Sequence, residues 1–494
     1  MEQLQQSSCD IDPASGTAAS LTSTMGDESI YDDQNVDAVL AAELQQLSCA
    51  ERNSIQEEIH GVYCMAPVET PERIQAALRQ LNEEVHPLIQ QRHGSSLLQQ
   101  SDHETQFYET FAASFSASPY LQSKELRLRY LRADLLDPKK AAIRMVDAFR
   151  LLFKYFGGLV LQRPLRFKDL GELDQEALRQ GVYQVLPSRD RSKRLILYHH
   201  GVYRGSRVTN LQRLRVQLYF NHVLAEDEET QKNGLVVLFS SDDQIMQELS
   251  EPEYQQDWKD CVHSHPLRWS ALHMCLPAGP MSQLLKAFLI LNFAASDHRV
   301  RVKFYTELVT LETQYQLMTY GIPVKELPLS FTGTVKTKNL NTWIQSRIAL
   351  DEARERGLDT ASMILHPGND DVLFSKGGRS KNQGNLEFHS VMELEVHRYN
   401  ATSNRKEKRQ IRDDIISTVR SRGARFLELA PSGHYWAEIQ DLDAVHNKVT
   451  SSLNDCTRNL KARENRQRSQ SSTVRFLEDN KRRKVEKGDD DPCC

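Results

Sequence analysis

The chain has 494 residues, with 62 basic and 67 acidic side chains and 8 cysteines, which is too long for one ordinary domain and implies about three. No apolar run reaches the roughly 18 to 20 residues needed to span a bilayer; the best, Leu284 to Ala295, is broken by Lys286 and Asn292. A transmembrane protein is thereby excluded, and the net charge of −5 favours no class of partner.

Residues 1–34 are rich in Ser, Thr, Gln, Asp and Gly and carry no periodic apolar pattern, which predicts a disordered acidic head. The first basic residue is Arg52, so the start lacks the charge pattern of secretory and organellar presequences. The cysteines (Cys9, Cys49, Cys64, Cys261, Cys275, Cys456, Cys493 and Cys494) show no ladder spacing and fit a reducing cytosol or nucleus. From 35 to 160 the pattern is helical. Val36, Val39, Leu40, Leu44 and Leu47 recur at helical spacing, and Ser48 with Glu51 reads as a capping box opening a helix through Ile55 and Ile59 to Gly61. Thr70-Pro71-Glu72 opens another, with Ile74, Leu78 and Leu81 on one face. Two amphipathic helices flank a Leu136-Asp137-Pro138 break and end at Gly157-Gly158.

From about residue 180 short β-prone runs alternate with helical patterns, the signature of βαβ units and a mixed or parallel sheet. Expected strands are Leu195 to His199, Leu235 to Phe239, Ala271 to Leu276 and Val300 to Phe304. Expected helices are Leu211 to Leu224, Asp243 to Leu249, Met281 to Phe293 and Leu308 to Tyr320. Leu235, Val237 and Phe239 share one strand face, and Tyr219 and Phe220 come from a neighbouring helix. On pattern alone these residues line either a filled core or a ligand pocket.

The order of these segments resembles the CRAL-TRIO lipid-binding family over about residues 120–335. The residues that carry the likeness begin with helical Leu131-Arg132-Ala133 and the following Lys140-Ala141-Ala142. The polar run Ser188 to Arg194 then enters a strand, Leu272-His273-Met274-Cys275-Leu276-Pro277 precedes Leu285-Lys286-Ala287-Phe288-Leu289, and the strand at Val300 to Phe304 follows. The resemblance implies a CRAL-TRIO-like lipid-binding domain at 180–335, with an apolar pocket at Tyr219, Phe220, Leu235, Val237 and Phe239. It also implies a gating helix that opens at a membrane, here Met281, Leu284, Leu285, Phe288, Leu289, Leu291 and Phe293. Burial of a lipid chain gains about 0.8 kcal/mol per CH₂, and extraction by this route needs no catalytic residue.

Residues 336–361 read as a polar helical linker, and 362–460 as a small α+β module. The module's Asp371-Val372-Leu373-Phe374-Ser375-Lys376-Gly377-Gly378-Arg379, then Gly384-Asn385 and Phe388, resembles a domain of unknown function abundant in unicellular algae. Where that domain's motif runs D-V-L-x-G-R-G-G and later P-G-N, this chain has Ser375 for Gly, Lys376 for Arg and Gln383 for Pro. Ile411, Ile415, Ile416 and Val419 predict a helix, and Phe426 with Trp436 lie in an expected hairpin before a last helix from Asp443. The overall expectation is α/β, with a helical N-terminal subdomain, a CRAL-TRIO-like βαβ sheet and the small C-terminal module.

Histidines and cysteines gather at Cys261, His263, His265, His273 and Cys275, but C-x-H-x-H fits no common zinc site, so no metal is expected. No nucleophile triad, phosphate loop or paired carboxylate stands out, which points away from an enzyme and from any cofactor. Gly377-Gly378-Arg379 reads either as an anion-binding turn or as a tight turn alone. Two helices and a hairpin also resemble a helix-turn-helix with a wing. With 14 basic and 13 acidic residues in 362–460, DNA contact would rest on a patch such as Arg405, Lys406, Lys408, Arg409 and Arg412. The tail, 461–494, reads as basic and disordered, with Lys481 to Lys484 as a nuclear import signal and Cys493-Cys494 as either a lipidation site or a frayed end. The sequence thus favours a lipid-binding or lipid-transfer protein with transient membrane contact and an appended interaction module. The alternative is a nuclear regulatory protein whose C-terminal module binds DNA or a protein partner.

Overall fold

The computed structural model describes residues 33–98, 101–201, 207–241, 252–279, 281–292, 296–375 and 382–486. The expected head up to residue 32, the helix at Asp243 to Leu249, Phe293, the Lys376 to Arg379 turn and the terminal cysteines fall outside those residues. The chain is mixed α/β and mostly helical, with two compact units, 1–351 and 352–494. Among the described residues no helix is long and apolar enough to cross a membrane.

The first unit begins with α1 (Asp33–Gln46), α2 (Cys49–Ile59), α3 (Pro71–Leu98), α4 (Asp102–Ala117), α5 (Pro119–Gln122), α6 (Lys124–Ala133) and α7 (Pro138–Phe156). The Ser48 capping box forms as read: the Ser48 hydroxyl accepts from Glu51 N (3.2 Å) and the Glu51 carboxylate accepts from Ser48 N (2.8 Å). Asp137 caps α7 by accepting from Lys139 N and Lys140 N at 3.0 and 3.1 Å, with Pro138 in the first turn where no amide is missed. Phe107, Phe111 and Phe115 of α4 meet Phe149 of α7 in a fully buried aromatic row, with the Phe111 and Phe149 rings 5.6 Å apart.

Then follow α8 (Glu172–Arg179), β1 (Tyr183–Val185), β2 (Leu195–His200), α9 (Asn210–Leu224), α10 (Glu228–Asn233), β3 (Leu235–Ser240), α11 (Pro252–His263) and β4 (Trp269–Leu276). The unit closes with α12 (Met281–Asn292), α13 (Ser296–Arg299), β5 (Val302–Thr306), α14 (Leu311–Thr319) and the first turns of α15 (Lys338–Glu355). The sheet order is β1-β2-β3-β4-β5; β1 runs antiparallel to β2, and the other neighbours are parallel. Strand order that follows chain order, with right-handed crossovers, sends successive connections to the same side. On that side Leu195, Leu197, Leu235, Val237, Phe239, Leu272 and Met274 pack with residues of α9, α11 and α12. On the other, Ile196, Tyr198, Val236, Leu238, Ala271 and Cys275 pack with Ile55 and Ile59 of α2 and Leu317 of α14. Burial on both faces explains why β3 reads as an unbroken apolar run rather than an alternating one.

Helix α15 differs from the polar linker expected of it. Leu340, Trp343 and Ile344 belong to the main core, and Trp343 stacks on Phe220 with ring centroids 4.8 Å apart. Arg347 is buried at 2% exposure and donates to Glu226 at 2.6 and 3.1 Å. It also lies 3.1 Å from Asp351, whose other oxygen accepts from Phe167 N at 2.8 Å. The helix looks polar in sequence because two of its inward residues are charged, and they are inside because they are paired.

The second unit contains β6 (Val372–Phe374), α16 (Gln383–Ala401), α17 (Arg405–Ser421), β7 (Phe426–Leu429), β8 (Trp436–Glu438) and α18 (Leu442–Glu486). Its sheet runs β6-β7-β8, parallel then antiparallel. The β7/β8 hairpin matches expectation, whereas the sequence shows β6, which begins at Val372 with one residue between it and Asn369-Asp370, only as part of a motif. Val372, Phe388, Met392, Ile411, Ile415, Phe426, Val445, Val449 and Leu453 form its core.

Candidate functional site

The residues expected to line a pocket are brought together by the first unit's sheet. Tyr219, Phe220 and Leu235 are fully buried and Val237 and Phe239 nearly so, all in one continuous cluster. Phe220 stacks on Trp343, Phe239 is edge-on to His199 with ring centroids 5.0 Å apart, and Tyr219 is edge-on to Phe167 with centroids 6.5 Å apart. Leu285, Phe288 and Leu289 of α12 insert into the same cluster, at 1%, 3% and 1% exposure, while Leu284 stays outward at 37%. Among the described residues, these side chains fill the layer between α12 and the sheet. A cavity of about 10 Å³ lies elsewhere, among α6, α7, α9 and α11, lined by Tyr130, Leu152, Asn221 and Cys261. That volume holds about one water and no acyl chain.

The expected gating helix is also covered from its far side. Ala287 and Ile290 pack against Leu40 of α1 and against Val302 and Phe304 of β5, and the Arg299 guanidinium of α13 pairs with Glu43 of α1. Spacing alone predicts α1 as one arm of a helical hairpin with α2; the partner that Leu40 meets lies some 250 residues downstream.

A second feature that pattern did not reveal docks α2 onto the sheet. Glu58 is fully buried; its carboxylate accepts from Arg268, from Arg301 Nη1 at 2.6 Å and from Met65 N at 3.0 Å. Arg194, held by Asp190 at 2.6 Å, donates to the Glu58 and Ile59 carbonyls at the end of the helix. Carbonyls in a last helical turn lack partners four residues on; Gly61 N reaches Glu58 O at 3.0 Å, and the buried guanidinium adds donors to both carbonyls.

The histidines and cysteines of the expected cluster do not converge. Cys261 Sγ accepts from Asn221 Nδ2 at 3.4 Å, His265 Nδ1 accepts from Leu267 N at 3.0 Å, and His273 Nδ1 lies 2.9 Å from Tyr305 Oη. Burial first, then nearby cations, lowers His200 to about 4 and both His265 and His273 to about 3.

In the second unit the motif residues serve the backbone. Asp371 accepts from Gly368 N (2.7 Å), Arg425 N (3.0 Å) and Arg425 Nη2 (2.7 Å), tying β6 to the start of β7. Asn385 clamps Leu373 in both directions: its Oδ1 accepts from Leu373 N at 2.6 Å and its Nδ2 donates to Leu373 O at 2.9 Å. Gly384 admits no side chain, since a Cβ there would lie 2.3 Å from the Asp370 carbonyl. Asp371, Gly384 and Asn385 thus fix the two ends of the segment that carries Lys376, Gly377, Gly378 and Arg379. Trp436 is half-buried on β8, where its backbone pairs with Ile364 in both directions at 2.8 and 2.9 Å.

Residues 371–455 match the family model described as a domain of unknown function, DUF6824. The match begins at the buried aspartate, and the staple just described is therefore part of the DUF6824 domain. No CRAL-TRIO family model matches the first unit. No curated protein matches the chain.

On the DUF6824 domain, Arg405, Lys406 and Arg409 are exposed at the start of α17 and Arg420 near its end. Lys408 instead lies over the Tyr399 ring at 4.8 Å, a structural contact rather than a free cation.

Proposed function

We propose that the chain is a non-catalytic binding protein whose first unit is a CRAL-TRIO-type domain that takes up a long-chain hydrophobic ligand between α12 and the sheet. The observation that carries this reading is α12 itself: its Leu285, Phe288 and Leu289 occupy the layer over Val237, Phe239 and Met274 that a ligand would fill. Strand order following chain order, with β1 antiparallel, supports it.

Energy sets a length threshold. Withdrawing three large apolar side chains costs about 1.5–3 kcal/mol each, whereas each buried CH₂ returns about 0.8 kcal/mol. Chains of roughly a dozen carbons offset the displacement, and much shorter ones do not. A bilayer interface that receives the displaced face of α12 lowers the cost further. We predict that the full chain moves a fluorescent long-chain phospholipid between vesicles and leaves a six-carbon analogue behind. Equal handling of both, or of neither, contradicts the reading.

A second reading rests on the exposed Arg405, Lys406, Arg409 and Arg420 of α17; in sequence, residues 458–475 add six Lys/Arg against Glu464. A phosphate backbone is the partner such a surface suits. The full chain should then retard duplex DNA at about 50 mM salt and release it steeply as salt rises; no retardation at that salt removes this reading.

A further inference from the structure

Helices α16 and α18 of the second unit are tied by Thr457 Oγ1, which donates to Asn400 Oδ1 at 3.1 Å, and by Arg463, 3.4 Å from Glu393. Alongside these ties a third group forms. His389 and Glu393 are four residues apart on α16 and so share one face, with His389 Nδ1 3.8 Å from Glu393 Oε1. Cys456 of α18 reaches the same place, and one donor atom from each of the three lies within 4.8 Å of the other two. Cys456 is 1% exposed, whereas the side chains of His389 and Glu393 are 26% and 44% exposed. The thiol forms the floor and the carboxylate the mouth of a site that solvent can enter.

We propose that His389, Glu393 and Cys456 bind a zinc-class divalent cation that clamps α16 to α18. A thiolate and an imidazole select borderline and soft metals, and a single carboxylate oxygen is too few for calcium or magnesium. Three protein ligands leave a fourth position for water or another ligand. Bonds of about 2.0 to 2.3 Å put the donors of a tetrahedral ion roughly 3.5 Å apart. The pair already at 3.8 Å is close to that separation, and small side-chain rotations bring in the third. Binding takes the proton from the Cys456 thiol and releases it to solvent, and it exchanges the Arg463 contact of Glu393 for a metal bond, so affinity rises with pH. Cys456 lies one residue beyond the end of the DUF6824 match. It is also independent of the ligand-binding reading of the first unit.

The test uses the full chain with Cys493→Ser and Cys494→Ser, which removes the terminal thiol pair as a competing site. Cobalt should bind at one equivalent with a thiolate-to-cobalt absorption band, and zinc should displace it. Cys456→Ser should abolish the band. His389→Gln and Glu393→Gln should each weaken zinc binding by about tenfold or more, since loss of outer partners alone changes affinity that much. Both sit at the surface, and their thermal unfolding without metal should match the parent, so they decide the matter even if Cys456→Ser misfolds. Absence of binding, or binding unchanged in these two variants, overturns the proposal.

Discussion

Glu58→Gln is expected to lower the stability of the first unit by about 3–5 kcal/mol, the range for breaking a buried ion pair from one side. The carboxylate lies between Arg268 and Arg301, which are themselves only 7% and 6% exposed. An amide cannot neutralise either guanidinium, and at this burial solvent compensates little of the lost charge. The loss should appear in urea unfolding of the full chain as a lower midpoint for the first transition, with the second unit's transition unmoved. A change below about 1 kcal/mol would place Glu58 among ordinary surface ion pairs and contradict the docking of α2 described above.

Acid should unfold the first unit well above the range where carboxylates titrate. His200, His265 and His273 are held neutral inside it, with values lowered to about 4, 3 and 3 from 6.5. Desolvation is the principal cause, reinforced by Arg213, Arg144 and Arg194 respectively. Because the folded values are depressed, the unfolded chain binds more protons between about pH 4 and 6.5, and stability falls as pH drops through that window. At pH 5 each group costs about 2 kcal/mol relative to neutral pH, and the three together about 6 kcal/mol, comparable to the whole stability of many domains. Urea midpoints taken from pH 7.5 to 5 should therefore drop steeply, with an uptake of nearly three protons on unfolding at pH 5. A flat profile over that interval would show that these rings are hydrated or already charged in the native state.

What the sequence disclosed and what it hid divide along a physical line. Local signals were legible: the Ser48 box, the Asp137-Pro138 start of α7, the short apolar runs of β2 to β4, and the hairpin that contains Phe426 and Trp436. Each depends on residues within a few positions of one another. Pairings over long separations were not legible. Glu58 meets Arg268 and Arg301 only after the sheet forms, Arg347 looks like a surface residue until Glu226 and Asp351 enclose it, and Leu40 reads as half of a hairpin until α12 arrives. The expected pocket shows the same limit from the other side. Tyr219, Phe220, Leu235, Val237 and Phe239 lie in one cluster, but whether such a group encloses space depends on Trp343 and Phe288, contributed by two further helices. In the second unit the motif around Asp371 signalled a special loop, while its spacing could not say that Asp371, Gly384 and Asn385 spend their polar groups on the backbone.

In the proposed function, the layer over β3 and β4 exchanges the side chains of α12 for a long apolar ligand. Mass spectrometry of the organic extract of the purified full chain tests it most directly. The account predicts about one lipid per chain, with hydrocarbon segments of roughly a dozen carbons or more. A chain that carries no lipid when purified, and acquires none after incubation with long-chain vesicles, contradicts it and leaves the first unit a solid scaffold.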